Sequence, residues 1–195
     1  MSKMYFAENP DASHDIHELR VELLGEKMTF LTDAGVFSKK MIDYGSRVLL
    51  STLDFGKGET LLDVGCGYGT LGLTLAKAQT LKVTLVDINQ RALDLTRKNA
   101  EANQVSAEIF QSNVYENVTG KFQHIISNPP IRAGKKVVHE VISGSYNHLL
   151  DDGDLTIVIQ KKQGAPSAKA KMEEVFGNCE TLKKDKGYYI LRSVK

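Results

Sequence analysis

The sequence predicts an α/β protein built on a mainly parallel sheet, and three observations lead there. Short aliphatic or β-branched runs alternate with helical segments from Glu59 onward, which places parallel strands beneath crossover helices. The run "TLLDV" exits straight into glycines, the arrangement that lets backbone approach a ligand at the carboxyl end of a strand. The last two strand runs flank the short turn from Asp185 to Gly187, and a parallel crossover needs about a dozen residues or more. Together these describe a doubly wound, Rossmann-like fold with seven strands in a mainly parallel sheet, an antiparallel last strand, and an N-terminal hairpin and helix.

The elements follow in order. In "HELRVELLGEKMTFLTD", Leu19, Val21 and Leu23 alternate before Gly25, and Met28 and Phe30 alternate after it, which predicts a hairpin. "SKKMIDYGSRVLLSTLDF" places Met41, Ile42, Val48, Leu49 and Leu53 on one helical face with Ser38 as the N-cap, and Gly45 marks a close packing contact there. "ETLLDVG" is the first sheet strand and "TLGLTLAKAQ" the helix after it. "LKVTLVD" is followed by "NQRALDLTRKNAEAN", a helix capped by Asn89. "AEIFQS" and "FQHIISNPP" are two more strands, and "KVVHEVISGSYNHLL" is a helix closed near Gly153. "DLTIVIQ" is the fifth strand, "SAKAKMEEVF" a helix stopped by Gly177, and "NCETLKKDKGYYILRSV" supplies the final pair. The expected organisation is one domain over residues 1–195, with the hairpin and helix at 17–54 and a catalytic core at 58–195.

Composition narrows the function classes. With 42% hydrophobic and 25% charged residues, the chain is neither disordered nor membrane-spanning, and no apolar leader opens it. A cytoplasmic location is expected. Cys66 and Cys179 stand apart from each other and from any histidine cluster, so they read as reduced thiols and no metal is expected. Net charge is +1, so no global field marks a nucleic-acid binder. Local clusters exist nonetheless: Arg132, Lys135 and Lys136 in "IRAGKKVVH", and Lys161 with Lys162 after "DLTIVIQ". Each reads as a solvated face or as a contact surface, depending on what lies beside it.

"DVGCGYGTLG" has two registers as a cofactor loop. From Gly67 it spells G-x-G-x-x-G, the dinucleotide fingerprint, and from Gly65 it spells G-x-G-x-G behind Asp63. The preceding strand ends at Val64, so the turn begins at Gly65, with Gly72 left for close helix packing. Asp63 would then repel a pyrophosphate and suit a cofactor with a cationic end, such as S-adenosylmethionine. Asp87 ends the second sheet strand 24 residues later, where its carboxylate fits two ribose hydroxyls or caps a helix. Asn113 and Val114 leave the third strand, placed for adenine or for a simple turn.

"SNPPI" at 127–131 points to the chemistry. Asn128 offers a side-chain carbonyl, while Pro129 and Pro130 fix φ and remove two backbone donors, leaving a rigid loop rich in acceptors. Such a loop holds an NH2 group by both hydrogens and turns its lone pair toward an electrophile, so positioning supplies most of the catalysis. Taken alone, N-P-P is also an ordinary turn signal.

"DVGCGYG", "VDIN" and "SNPPI" at these spacings resemble class I S-adenosylmethionine-dependent methyltransferases of the N-P-P group. "FLTDAGVFSKKMIDYGSRVLL" with "SNPPIRAGKKVVHEVI" is similar to the small-subunit (16S) ribosomal RNA guanine-N2 methyltransferase family in its single-domain form. The resemblance runs from about residue 17 to the end. It implies that Asp63, Gly65 and Gly67 bind the methionine moiety, that Asp87 and Ile88 bind ribose and adenine, and that Asn113 and Val114 bind adenine. It further implies that Asn128 and Pro129 hold the target amine, with Pro130 and Ile131 completing the loop, and that Phe37 and Ser38 lie over the cofactor unless Phe37 belongs to the core. Ile131 departs from the aromatic residue frequent at that position, so base stacking must come from elsewhere.

Under this resemblance Arg132, Lys135 and Lys136 leave the N-P-P loop at the substrate mouth, where they would contact RNA phosphates. The expected partner is ribosomal RNA or the small ribosomal subunit, without a membrane or a metal. Rival readings are an N-methyltransferase acting on protein glutamine or adenine N6, a cofactor-binding ribosome-interaction module without catalysis, and a nicotinamide oxidoreductase.

Overall fold

The computed structural model describes residues 14–38, 40–130 and 133–195. Strands β1 (His17–Leu23) and β2 (Glu26–Thr32) form the expected antiparallel hairpin around Leu24 and Gly25. A seven-stranded sheet follows, built from β3 (Thr60–Val64), β4 (Lys82–Asp87), β5 (Ala107–Gln111), β6 (Phe122–Ser127), β7 (Leu149–Gln160), β8 (Glu180–Asp185) and β9 (Tyr188–Val194), in the order β5-β4-β3-β6-β7-β9-β8. The pairs from β5 through β7 are parallel, and β9 runs antiparallel to both of its neighbours. The order reverses at β3, so the ligand crevice is expected beyond the carboxyl ends of β3, β4 and β6.

Helices cover both faces. The hairpin, α1 (Tyr44–Leu50), α2 (Thr70–Gln79) and α3 (Gln90–Ala102) enclose a core with Leu61, Leu85 and Ile126. On the other face α4 (Lys135–His148) and α5 (Ala165–Phe176) pack against Leu62, Ile125 and Ile157. Adjacent strand residues such as Leu61 and Leu62 serve opposite cores, the period-2 alternation of a sheet buried on both sides. Asn89 caps α3, accepting from the Ala92 N–H, and Gly177 ends α5 with φ +73°.

The hairpin is fastened to α3 rather than free. Asn99 and Asn103, one helical turn apart, exchange hydrogen bonds with the backbone of Leu31 and Thr29 at 2.7–3.0 Å, satisfying the outer edge of β2. The chain then crosses toward the sheet, held where Arg91 donates to the Ala34 carbonyl at 2.8 Å and Asn89 to that of Gly35 at 3.0 Å. That crossing carries Val36 to Ser38 over the carboxyl ends of the strands.

Two boundaries differ from expectation. Ser38 does not cap a helix: it has φ +55° and its hydroxyl bonds the Met41 carbonyl. The cap is Asp43, accepting from the Ser46 N–H at 3.0 Å, and Met41 lies outside the helix with 68% exposure. Asp is as good a cap as Ser, and this one is also fixed by a contact from β6 described below. The helix expected to close near Gly153 ends at His148, because Leu149 already pairs with Phe122 as the start of β7, and residues 150–153 form an irregularity before the pairing resumes at Asp154.

Gly45 does mark a packing contact. A Cβ there would sit 2.6 Å from the Tyr188 ring, so α1 approaches β9 directly. Gly45→Val is expected to destabilise the fold by about 1–3 kcal/mol. Thermal unfolding checks this, and an unchanged melting temperature would contradict the contact. Among the described residues no helix is long and apolar enough to cross a membrane.

Candidate active site

The carboxyl ends of β3, β4, β5 and β6 converge on a cavity of about 320 Å³. The glycine turn after β3 forms its floor. Gly65 and Gly67 have φ of +74° and +58°, which L side chains rarely adopt, and a Cβ on either would meet no protein atom. The turn is fastened from β4: Gly65 and Cys66 donate to the Val86 carbonyl, and Gly67 donates to Asp87 Oδ2 at 2.8 Å. Thr96 Oγ1 on α3 lies 2.8 Å from the Gly67 carbonyl.

Asp87 lies on the cavity wall. Its other oxygen accepts from the Asn89 N–H at 2.9 Å, so the carboxylate bridges the glycine turn and the start of α3. Burial pushes its carboxyl up to about 6, against the pull of the N–H groups of Asn89, Gly67 and Ile88. Ile88, Asn113 and Val114 line the same cavity beside it.

Asp63, expected at the methionine moiety, is not among the residues that line the cavity. Its side chain is fully buried behind the turn, on the α2 face, because alternation along β3 points residue 63 away from the side of Val64. Oδ2 accepts from the Gly72 N–H at 2.9 Å, and a Cβ at Gly72 would sit 2.9 Å from Leu85 and 3.1 Å from that oxygen. Gly72 is therefore a packing residue, as the register implied. Asp63 Oδ1 has no partner among the described residues. Burial, with Asp87 nearby, raises the Asp63 carboxyl to about 7 despite the Gly72 bond.

Asn128, Pro129 and Pro130 also line the cavity, leaving β6 opposite the glycines. Asn128 is clamped from one side: Nδ2 donates to Asp43 Oδ2 at 3.1 Å and to Ser46 Oγ at 3.0 Å. Both amide hydrogens face α1, so the carbonyl Oδ1 is the atom left for a ligand. Asp43 and Ser46 thus line the cavity and hold Asn128, and motif reading passed over both. The sequence signal was the acidic cap ahead of "YGSRVLL".

Phe37 and Ser38 line this cavity and also a second one of about 340 Å³, which shares Asp43, Asn128 and Pro129 with the first. Phe37 is 40% exposed, so it belongs to the site and not to the core. The far wall of the second cavity is made by Gln160, Gln163 and Tyr188. Its aromatic surfaces are Phe37 and Tyr188, on elements remote in sequence from the N-P-P loop. Lys135 and Lys136 open α4 beside the mouth, both exposed, and Lys136 is 3.7 Å from Glu140. Ile131 and Arg132 lie outside the described residues.

A family model described as "Methyltransferase small domain" matches residues 27–192. The uncharacterized protein YbxB of Bacillus subtilis is 44% identical over 200 residues, spanning all of both chains. Ribosomal RNA small subunit methyltransferase C of Erwinia tasmaniensis is 37% identical over 177 residues, covering 88% of this chain and 51% of that protein. The T. thermophilus 16S rRNA N2 methyltransferase RsmC, solved in complex with AdoMet and guanosine, superposes with a TM-score of 0.86 at 28% identity, covering 94% of this chain and 51% of that one. The chain therefore spans about half the length of these named methyltransferases. With its glycine turn, its Asp87 bridge and its N-P-P loop in one crevice, the chain belongs to the methyltransferase small domain family.

Proposed function

We propose that this chain transfers a methyl group from S-adenosylmethionine to the exocyclic N2 amine of a guanine in small-subunit ribosomal RNA, in the cytoplasm. The observation that carries the reading is the clamped Asn128, whose carbonyl is held toward the junction of two cavities. The first cavity suits the cofactor: its glycine floor has room where a Cβ would stand, and behind it a buried carboxylate oxygen lacks a partner among the described residues. The named relatives act on ribosomal RNA, and the structural neighbour was solved with AdoMet and guanosine, which supports the same assignment.

In this reading the Gly65–Gly67 backbone cradles the amino-acid end, with Asp63 as the nearby negative charge. Asp87 accepts from the ribose hydroxyls. Ile88, Asn113 and Val114 border the adenine, and Phe37 with Ser38 covers it. S-adenosylmethionine supplies a methyl group made electrophilic by its sulfonium.

The target base enters the second cavity between Phe37 and Tyr188, which provide the aromatic surface that Ile131 lacks. Asn128 Oδ1 and the Pro129 carbonyl accept the two amine hydrogens. That draws nitrogen toward tetrahedral geometry and aims its lone pair at the methyl carbon. With the S–CH3 bond broken and S-adenosylhomocysteine as the leaving group, the methylated nitrogen would carry the positive charge and would release its proton to water, so no strong base is required beforehand.

Asp43→Ala is expected to lower kcat about tenfold, because the Asn128 amide is then free to rotate, while affinity for S-adenosylhomocysteine stays near that of the parent. The lost cap costs about 1 kcal/mol of stability. Asp43→Asn, which keeps an acceptor, should restore most of the kcat. Equal kcat in the parent and Asp43→Ala would remove the clamp from the mechanism.

The function itself is tested by offering labelled S-adenosylmethionine with naked ribosomal RNA, assembled small subunits and a glutamine-containing release factor. Label is expected in the RNA of one or both RNA-containing acceptors. Label only in protein would overturn the reading.

A further inference from the structure

Two lysine-rich segments meet on the rim of the second cavity. β7 ends at Gln160, and the 3₁₀ turn that follows, Lys161–Gln163, returns Gln163 to the same cavity wall. Lys161 and Lys162 stand exposed between the two glutamines. The turn joining β8 to β9 lies alongside, because the Lys161 N–H donates to the Gly187 carbonyl at 2.8 Å. That second segment carries Lys183, Lys184 and Lys186, of which the last two are exposed.

Across both segments five lysines face one carboxylate, Asp185. Among the described residues none of the five forms an ion pair, whereas Lys77, Lys136, Lys169 and Lys171 all lie beside glutamates. In a chain of net charge +1, this is a local concentration of unneutralised charge.

Lys186 Nζ lies 4.8 Å above the Tyr44 ring, Lys184 Nζ lies 4.9 Å above that of Tyr189, and Tyr44 packs 5.7 Å from Tyr188 on the cavity wall. Lys186 thus stands on an aromatic shelf, Tyr44 with Tyr188, that is continuous with the second cavity, while Lys184 lies over Tyr189 on the other face of the same sheet edge. Protection of an edge strand accounts for Lys183 and Lys184 on β8, which ends the sheet. It does not account for Lys161, Lys162 or Lys186, which lie in turns.

We propose that this rim, Lys161, Lys162, Lys184 and Lys186, binds the sugar-phosphate backbone of the RNA strand next to the methylated nucleotide. A base that must leave its stack to reach a pocket needs its flanking backbone held beside that pocket. Lysines are point charges on flexible stems, suited to a run of phosphates rather than to the fixed geometry of single carboxylates. The inference rests on the RNA substrate proposed above and adds which face of the protein the strand crosses. It places the strand on the β7–β9–β8 side of the mouth, across from Lys135 and Lys136 on α4.

Two paired variants test it, Lys161→Gln/Lys162→Gln and Lys184→Gln/Lys186→Gln. The control is Lys57→Gln/Lys121→Gln, which removes the same charge at the amino ends of β3 and β6, on the opposite rim. Each rim pair is expected to raise KM for naked ribosomal RNA roughly 10- to 30-fold near 0.1 M salt, and to flatten the salt dependence of KM by about 0.7 for each phosphate no longer neutralised. The control pair, kcat at saturating RNA and S-adenosylhomocysteine affinity should match the parent.

If the parent methylates RNA and the rim pairs match the control pair, the docking surface is overturned while the function stands. If the rim pairs fail only on assembled subunits and not on naked RNA, the rim contacts a ribosomal protein and the phosphate assignment is wrong. If the parent labels no RNA, the functional reading fails and this inference with it.

Discussion

Asn128→Ala is expected to lower methyl transfer by about 10²- to 10³-fold while S-adenosylhomocysteine binds within about twofold of the parent. The substitution removes the carbonyl that accepts an amine hydrogen and leaves the glycine turn, Asp87 and the adenine side of the cavity untouched. Asp43 retains its helix cap through the Ser46 N–H, so the fold should survive. Asn128→Asp separates two contributions. It keeps an acceptor but loses the donor to Asp43 and Ser46 and sets a second carboxylate beside Asp43, so its activity should fall between parent and Asn128→Ala. Single-turnover rates read the effect without interference from product release. Parent-like turnover in Asn128→Ala would remove the N-P-P loop from the chemistry.

Cofactor affinity is expected to rise by about 10²-fold between about pH 5 and about pH 8. Burial raises the Asp63 carboxyl to about 7 and that of Asp87 to about 6, so both are largely protonated at the acid end of that range. A ligand ammonium near Asp63 and ribose hydroxyls at Asp87 favour the carboxylates, so binding releases protons and strengthens as pH climbs past both values. In the ligand-free protein the sign is opposite. A carboxyl whose folded value lies above its unfolded one stabilises the fold as the acid. Asp63's contribution is therefore present below its ordinary 3.8 and is lost as pH rises to about 7. Calorimetry with S-adenosylhomocysteine in two buffers of different ionisation enthalpy measures both affinity and proton release. Asp63→Asn should lose most of the dependence. A parent affinity that is flat over this range would mean that ligand binding leaves the ionisation of both carboxyls unchanged.

How much of this was legible in the sequence depended on the distance between cause and effect along the chain. The alternation of strands and helices, the hairpin around Gly25 and the Asn89 cap are local signals, and the structure carries each one. The glycine register was readable because the strand before it has a definite end, and Gly72 then found its place against Leu85 and Asp63. Sequence placed Phe37 on either the core or the pocket, and only the route of the chain from β2 across α3 puts it over the crevice.

The signals that failed are long-range. Asp43 clamps Asn128 from 85 positions away, and the Ser38 cap assignment missed it because nothing local ties α1 to β6. Tyr188 reaches the second cavity through sheet order, since β9 inserts between β7 and β8. At the other end of the sheet, Glu59, His124, Asp154 and Arg192 form a polar chain, with 3.0 Å from His124 Nε2 to Glu59 and 3.1 Å from Arg192 Nε to Asp154. No motif joins those four residues.

The proposed chemistry is tested most directly by identifying the methylated atom. Small-subunit ribosomal RNA lacking the modification is incubated with the protein and labelled S-adenosylmethionine, digested to nucleosides, and resolved by chromatography with mass detection. The proposed function predicts a single labelled nucleoside, N2-methylguanosine, formed about 10²- to 10³-fold more slowly with Asn128→Ala. Label recovered instead as N6-methyladenosine would contradict the choice of guanine, and a guanosine methylated on a ring nitrogen would contradict the holding of an exocyclic amine by the N-P-P loop.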